Sequence, residues 1–178
     1  MWNNLVVVAL TTGALAACSP VSPAPSAQPP AASDVHVGQV IRVVDGDTFH
    51  VWTNGRDVTT RVLGLDTPET KKPQTPVQCY GPQASANAHR LLDGQTVTLR
   101  PDPTQAKLDR YGRTLAYVTL FDGSDYSLTV VAAGFGRAYK VSGPAPQEWS
   151  QLVAAQQQAQ TAKTGLWAPR PQGCDGGV

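Results

Sequence analysis

VGQVIRVVDGDTFHVWTNGRDVTTRVLGLD, residues 37–66, reads as three β-strands in succession, and the architecture follows from it. Residues 37–44, 48–53 and 57–65 are rich in Val, Ile, Thr and Leu, the composition of strands half-buried on a pleated surface. Asp45-Gly46 punctuates the first pair of runs. Asn54-Gly55 punctuates the second, and Asn-Gly between apolar runs is a strong hairpin signal because both residues accept the backbone of a tight turn. Downstream, residues 82–92 predict a helix with Pro82 in its first turn and Gly94 just past its end. Residues 96–100 and 113–120 read as two further strands. Ser127 is placed to cap a short apolar helix that runs to Ala133 and stops at Gly134. A last, alanine-rich helix over residues 147–163 is anchored by Trp149, Leu152 and Val153. The chain is therefore mainly β with about three helices, an α+β class whose five strands permit a small barrel without selecting it.

Three stretches carry chemistry: Asp45-Gly46-Asp47-Thr48, Arg61 with Asp66-Thr67-Pro68-Glu69, and Asp109-Arg110-Tyr111-Gly112-Arg113. Asp47 and Asp66 are short carboxylates able to share an oxygen-loving cation such as calcium, which takes about six to eight oxygen ligands and usually keeps some water. Glu69 can orient one of those waters. Arg61 and Arg113 present planar, permanently charged forks that match two oxygens of a phosphate and offset charge growing on a pentacoordinate phosphorus. A phosphodiester resists water because its own charge repels nucleophiles, so this set suits its hydrolysis. Each piece alone is ordinary. Asp-Gly-Asp is turn chemistry with no evident ligand role for Asp45, Thr-Pro-Glu opens a loop, and Arg-Tyr-Gly-Arg suits a hairpin edge. Their joint occurrence within one domain-sized stretch carries the weight.

At these residues, from about His36 to Trp167, the chain resembles the staphylococcal nuclease, or thermonuclease-like, family. The matching text is Val43 through Thr48, Arg61 through Thr70, Tyr80-Gly81-Pro82-Gln83-Ala84-Ser85, Asp109 through Arg113 with Leu115-Ala116-Tyr117, and Gly165-Leu166-Trp167. The resemblance implies an OB-fold, a five-stranded β-barrel that gathers Asp47, Arg61, Asp66, Glu69 and Arg113 around one cleft. It also implies one Ca2+ per domain held by Asp47, Asp66 and the backbone carbonyl of Thr67, with Arg61, Glu69 and Arg113 catalytic. The implied reaction expels the 5′ oxygen and leaves 3′-phosphate products from both DNA and RNA. Two other readings stay open: a nucleic-acid-binding envelope lipoprotein that keeps the fold without cutting, and a phosphatase for small phosphate esters.

With 178 residues the chain has room for one domain plus tails. Fourteen Lys and Arg against thirteen Asp and Glu give a formal net charge of +1, modest for a protein that meets polyanions. Basic help must then be local. Lys71, Lys72 and Arg110, with Tyr111 as a stacking ring or, alternatively, a packing tyrosine with a polar tip, are the candidate contacts for a weak, salt-sensitive and sequence-independent grip on single-stranded or frayed DNA or RNA. His36, His50 and His89 are scattered without ligand spacing, which argues against zinc. Monomer is the default expectation.

The N-terminus points outward. Residues 5–17 form an apolar run too short to cross a bilayer and end in small residues, so residues 1–17 read as an export signal. Leu15-Ala16-Ala17-Cys18 resembles a bacterial lipobox, which would make Cys18 a lipid-carrying first residue. Ordinary signal cleavage and a plain membrane anchor are the alternatives. Residues 18–34, almost entirely Pro, Ala, Ser, Val and Gln, read as a tether, residues 35–168 as the folded domain, and residues 169–178 as a tail. The expected location is the extracytoplasmic side, at an outer membrane or cell surface. Of three cysteines, Cys79 and Cys174 then remain, and an oxidising compartment predicts that they pair, two separate thiols being the alternative.

Overall fold

Strand β1 (His36–Val43) pairs antiparallel with β2 (Thr48–Thr53), and β2 with β3 (Arg56–Val62). The computed structural model describes residues 34–71, 76–140, 143–169 and 174. Thr53 faces Arg56 across the second hairpin, and Asn54 and Gly55 turn with φ of 50° and 74°, the two positive values that match strand twist in a two-residue loop. Strands β4 (Leu65–Asp66), β5 (Thr96–Arg100), β6 (Thr114–Thr119) and β7 (Arg137–Ala138) follow. β5 pairs antiparallel with β1 and with β6, and β6 runs parallel to β3, closing a barrel in the order β1-β2-β3-β6-β5. Closure leaves none of these five strands with an open edge. This is the five-stranded α+β barrel of OB type that the sequence predicts.

Among the described residues α1 (Gly81–Leu92), α2 (Tyr126–Ala132) and α3 (Trp149–Thr161) support it, with a 3-10 turn at Gly165–Trp167. α1 packs on β1, α2 on β6, and α3 on α2. Phe49, Val51, Val62, Leu99 and Val118 fill the barrel, and Leu92, Val130 and Leu152 bring the helices onto it. Removing each such side chain from water contributes about 1.5–3 kcal/mol.

The structure corrects several boundaries, most by one or two residues. The third strand, expected to reach residue 65, ends at Val62, because Gly64 has φ of +75° and the chain bends before β4 pairs with β7. Val62, Leu63 and Leu65 are all buried around this bend, so the apolar run is continuous and hides the turn. Asp125, not Ser127, caps α2: its backbone is extended and its side chain accepts from Leu128 N at 2.8 Å. Ser127 lies inside the first turn and its hydroxyl donates to Leu63 O at 3.1 Å. α3 begins at Trp149 rather than 147; the Gln147 amide before it donates to Asp102 Oδ2 at 2.7 Å and the Glu148 amide to the Tyr117 hydroxyl at 3.1 Å. Asp102, 3% exposed, also accepts from Tyr117 OH at 2.7 Å and from Thr104 N at 2.8 Å, tying β6 and the start of α3 to the loop after β5.

A disulfide joins Cys79 to Cys174 across 95 residues of chain. No helix among the described residues is long and apolar enough to cross a membrane. The export signal, Cys18, most of the tether and Lys72 lie outside the described residues.

Candidate active site

The tight turn between β1 and β2 delivers the first carboxylate. Val44 N and Asp45 N both donate to Thr48 O, Asp47 N donates to Asp45 Oδ1 at 3.1 Å, and the buried Tyr126 hydroxyl donates to Gly46 O at 2.8 Å. Asp47 is thereby pinned in a buried position. Its Oδ1 accepts from the Thr48 hydroxyl at 3.0 Å, and its Oδ2 accepts from Thr67 N at 3.0 Å and from the Thr67 hydroxyl at 3.3 Å. The bend at Gly64 is what brings Thr67 back to this turn.

Arg61 sits opposite Thr48 in the β2–β3 register, so its guanidinium enters the same space. Its Nε lies 3.3 Å from Asp47 Oδ1, its Nη1 donates to Leu65 O at 2.6 Å and Val62 O at 3.0 Å, and its Nη2 donates to Asp66 Oδ1 at 3.4 Å. Four contacts fix one fork. Arg113 arrives from the loop that leads into β6. Asp109 holds it, with Oδ2 accepting from Arg113 Nε at 2.7 Å and Oδ1 accepting from the amides of Arg113 and Tyr111 at 3.0 and 2.8 Å. Arg113 Nη1 reaches the Thr48 hydroxyl at 3.3 Å, which links the two guanidinium groups through the turn that carries Asp47. Glu69 follows Thr67-Pro68, and its Oε1 accepts from the amides of Thr70 and Lys71 at 2.8 and 2.7 Å.

These groups open onto a cleft of about 500 Å3 lined by Asp45, Asp47, Arg61, Asp66, Thr67, Glu69, Gln78, Tyr111 and Arg113. Tyr111 is 68% exposed at its rim, with the guanidinium carbons of Arg110 and Arg113 at 4.8 and 5.3 Å from its ring centre. Arg110 and Lys71 are exposed and do not line the cleft. Asp45, a turn residue on sequence grounds, lies in the cleft wall, and so does Gln78, which no motif marks. Asp109 stands in the quoted Asp109–Arg113 motif, and its grip on Arg113 depends on the turn at 109–112, which the sequence alone does not specify.

The charge is uneven. Burial, reinforced by Asp47 nearby, pushes Asp45 up to about 7. Burial and then Asp47 also raise Asp66, against a downward pull from Arg61 and Arg137. Asp109 behaves the opposite way: burial favours its neutral form, but hydrogen bonds from Arg113 and Tyr111 outweigh it and hold the carboxyl below its ordinary value. Acidic oxygens thus collect on one wall with two oriented guanidinium groups beside them. An anionic group with several oxygens can meet both arginines at once. Among the described residues no three His, Cys, Asp or Glu side chains converge as a metal cage. The donors of this wall are nonetheless all hard oxygen atoms, which fits a hard dication that completes its shell with water and substrate oxygens.

A family model described as staphylococcal nuclease homologue matches residues 59–169. A thermonuclease of Staphylococcus hyicus is 44% identical over 131 residues, covering 73% of this chain and 75% of that protein. A thermonuclease of Staphylococcus intermedius is 41% identical over 128 residues, 72% of this chain and 74% of its own length. Endonuclease YncB of Bacillus subtilis (strain 168) is 38% identical over 127 residues, 71% of this chain and 59% of that protein.

Proposed function

The chain belongs to the staphylococcal nuclease homologue family, and from that premise we propose that it is a calcium-dependent enzyme cutting DNA and RNA to 3′-phosphate products. It is a hydrolase of the nuclease class. The observation that carries the finer reading is the meeting of Asp47, Arg61, Asp66, Glu69 and Arg113 in one cleft.

Asp47, Asp66 and the Thr67 carbonyl would hold Ca2+, which when bound supplies positive charge against the negative charge of the diester. Arg61 and Arg113, both already oriented by protein acceptors, bind the non-bridging phosphate oxygens and are pre-paid for the transition state. Glu69 directs a water at phosphorus opposite the 5′ oxygen and takes or steers its proton. A P–O bond to water forms as the bond to the 5′ oxygen breaks, and the departing oxygen takes a proton from solvent to become a 5′-hydroxyl, so the phosphate stays on the 3′ side.

The rim supports a sequence-independent grip. Exposed Tyr111 offers a face to a base, and exposed Arg110 and Lys71 offer charge to neighbouring phosphates, with Lys72, outside the described residues, adding a further charge on sequence grounds. Single strands and frayed ends suit this shallow contact best. The N-terminal text supports a lipoprotein: signal at 1–17, lipid on Cys18, tether through residue 34, nuclease domain at 35–168 and a tail at 169–178, monomeric and displayed on the extracytoplasmic side.

End-labelled single-stranded DNA and RNA, incubated with purified protein plus Ca2+ or plus chelator, test the activity. The expected result is cleavage only with Ca2+, with 3′-phosphate ends on both polymers. Binding without cleavage would instead identify a silent nucleic-acid-binding protein, and hydrolysis of small monoesters alone a phosphatase. Labelled palmitate on the wild type and its loss in Cys18→Ala test the anchor, and an unlabelled wild type refutes it.

A further inference from the structure

We propose that Gln78 is a positioning residue for Glu69, held in place by the Cys79–Cys174 disulfide that follows it. The inference rests on the reading of the cleft as a nuclease site.

One residue serves both main-chain groups of Glu69. The Glu69 amide donates to Gln78 Oε1 at 2.9 Å, and the Gln78 amide donates back to Glu69 O at 2.9 Å. The Glu69 carboxylate accepts in turn from the amides of Thr70 and Lys71, so its direction follows the backbone at residues 69–71. A rotation of the peptide at Glu69 therefore carries the carboxylate with it. Catalytic groups tolerate only about 0.5 Å and 10–20° of such error.

Gln78 is exposed, so burial does not lock it. An exposed Gln side chain gives up rotamer freedom when fixed, and its backbone gives up freedom as well, so something must hold them. Here the restraint comes from its own successors. Cys79 is bonded to Cys174. Tyr80 has φ of 65°, a backbone that persists in a bulky residue only when its surroundings over-determine it, and its ring stacks on Phe135 with centroids 5.6 Å apart. The Gly81 amide donates to Gln78 O at 2.9 Å. Gly81 approaches so closely that a Cβ there would meet Thr70 Cγ2 at 2.8 Å and Glu69 O at 3.1 Å. Residues 78–81 are thus built flush against residues 69–70. The amide of Gln78 also suits its place: it accepts from Glu69 N without adding another negative charge to a wall that already carries Asp45, Asp47, Asp66 and Glu69.

The test uses the full-length oxidised protein and calcium-supported cleavage of single-stranded DNA. Gln78→Leu keeps the bulk and removes the acceptor, and should lower kcat about tenfold while KM moves less than about twofold. In a Glu69→Gln background the same change should move kcat by less than about twofold, because its route to the chemistry is already cut. Cys174→Ser should lower kcat severalfold, and should add nothing in the Gln78→Leu background. Amide exchange gives a readout independent of turnover: protection at Glu69 should fall in Gln78→Leu while the β2–β3 ladder stays protected. If Gln78→Leu also loses ladder protection, Gln78→Met replaces it. Wild-type kcat in Gln78→Leu, an equal loss with and without Glu69, or unchanged exchange at Glu69 overturns the positioning role. Wild-type kcat in Cys174→Ser overturns the part given to the disulfide. A wild-type protein that cuts nothing overturns the nuclease reading itself.

Discussion

Asp109→Asn is the sharpest perturbation of the cationic wall, because it keeps the shape of the side chain and removes its charge. Asp109 accepts three hydrogen bonds, two from amides that shape the loop and one at 2.7 Å from Arg113 Nε. The amide oxygen of Asn can still serve the two backbone donors. The other end becomes an NH2 facing Arg113 Nε, so a charge-assisted acceptor is exchanged for a donor. Loss of such a bond costs about 1.5–3 kcal/mol. Among the described residues the Thr48 hydroxyl at 3.3 Å and the Tyr111 ring then restrain the guanidinium. If all of that cost falls on the transition state, kcat drops about ten- to hundredfold. The ceiling is set by deletion of Arg113, about a hundred- to a thousandfold for a charge-stabilising donor. Steady-state cleavage of a single-stranded oligonucleotide measures this, with Asp109→Asn repeated in an Arg113→Ala background, where it should have little further effect. A kcat within about twofold of wild type, or a full additive loss without Arg113, would refute the idea that Asp109 works by aiming Arg113.

Arg61→Ala and Glu69→Ala should each lower turnover by about a hundredfold or more, and near-wild-type turnover in both, in the same assay, would remove these residues from the mechanism. Asp102→Asn should destabilise the fold by about 2 kcal/mol at neutral pH, since the carboxylate loses bonds from Tyr117 and Gln147. Burial favours the neutral form of Asp102, but bonds from Thr104, Gln147 and Tyr117 outweigh it and hold its pKa below the ordinary value. Its stabilisation is therefore complete above about pH 4 and lost as pH falls through the folded-state pKa, so the gap between wild type and Asp102→Asn in urea unfolding should shrink in acid. A gap that stays constant with pH contradicts this. Removing the disulfide through Cys79→Ser with Cys174→Ser should cost about 4–5 kcal/mol from the 95-residue separation it closes, read as a lower urea midpoint, and a loss under about 1 kcal/mol would show that the open chain is already restrained.

Much of the barrel is written locally. Asn54-Gly55 announces its hairpin because the required backbone belongs to those two residues alone, and β2 and β5 have the bounds that their Val and Thr content suggests. The bend at Gly64 is not legible, because Val62, Leu63 and Leu65 are all buried on either side of it and the apolar residues conceal the change of direction. Ser127 looks like a better helix cap than it is, since the choice between it and Asp125 depends on which backbone is extended where β6 ends. The cleft shows the same division. Asp47, Arg61, Asp66, Glu69 and Arg113 are marked by charge and by motif, whereas Gln78 acts through an amide nine residues away and Asp45 is a turn residue until burial gives it a second character.

The seam between β3 and β6 is the parallel pairing in the barrel, and Arg61 and Arg113 stand at its entrance. Parallel neighbours cannot be joined by a short loop, so the two strands that meet here come from distant parts of the chain. Both guanidinium groups therefore come to one mouth only where this seam exists, and the cleft belongs to the closed barrel rather than to any one of its strands.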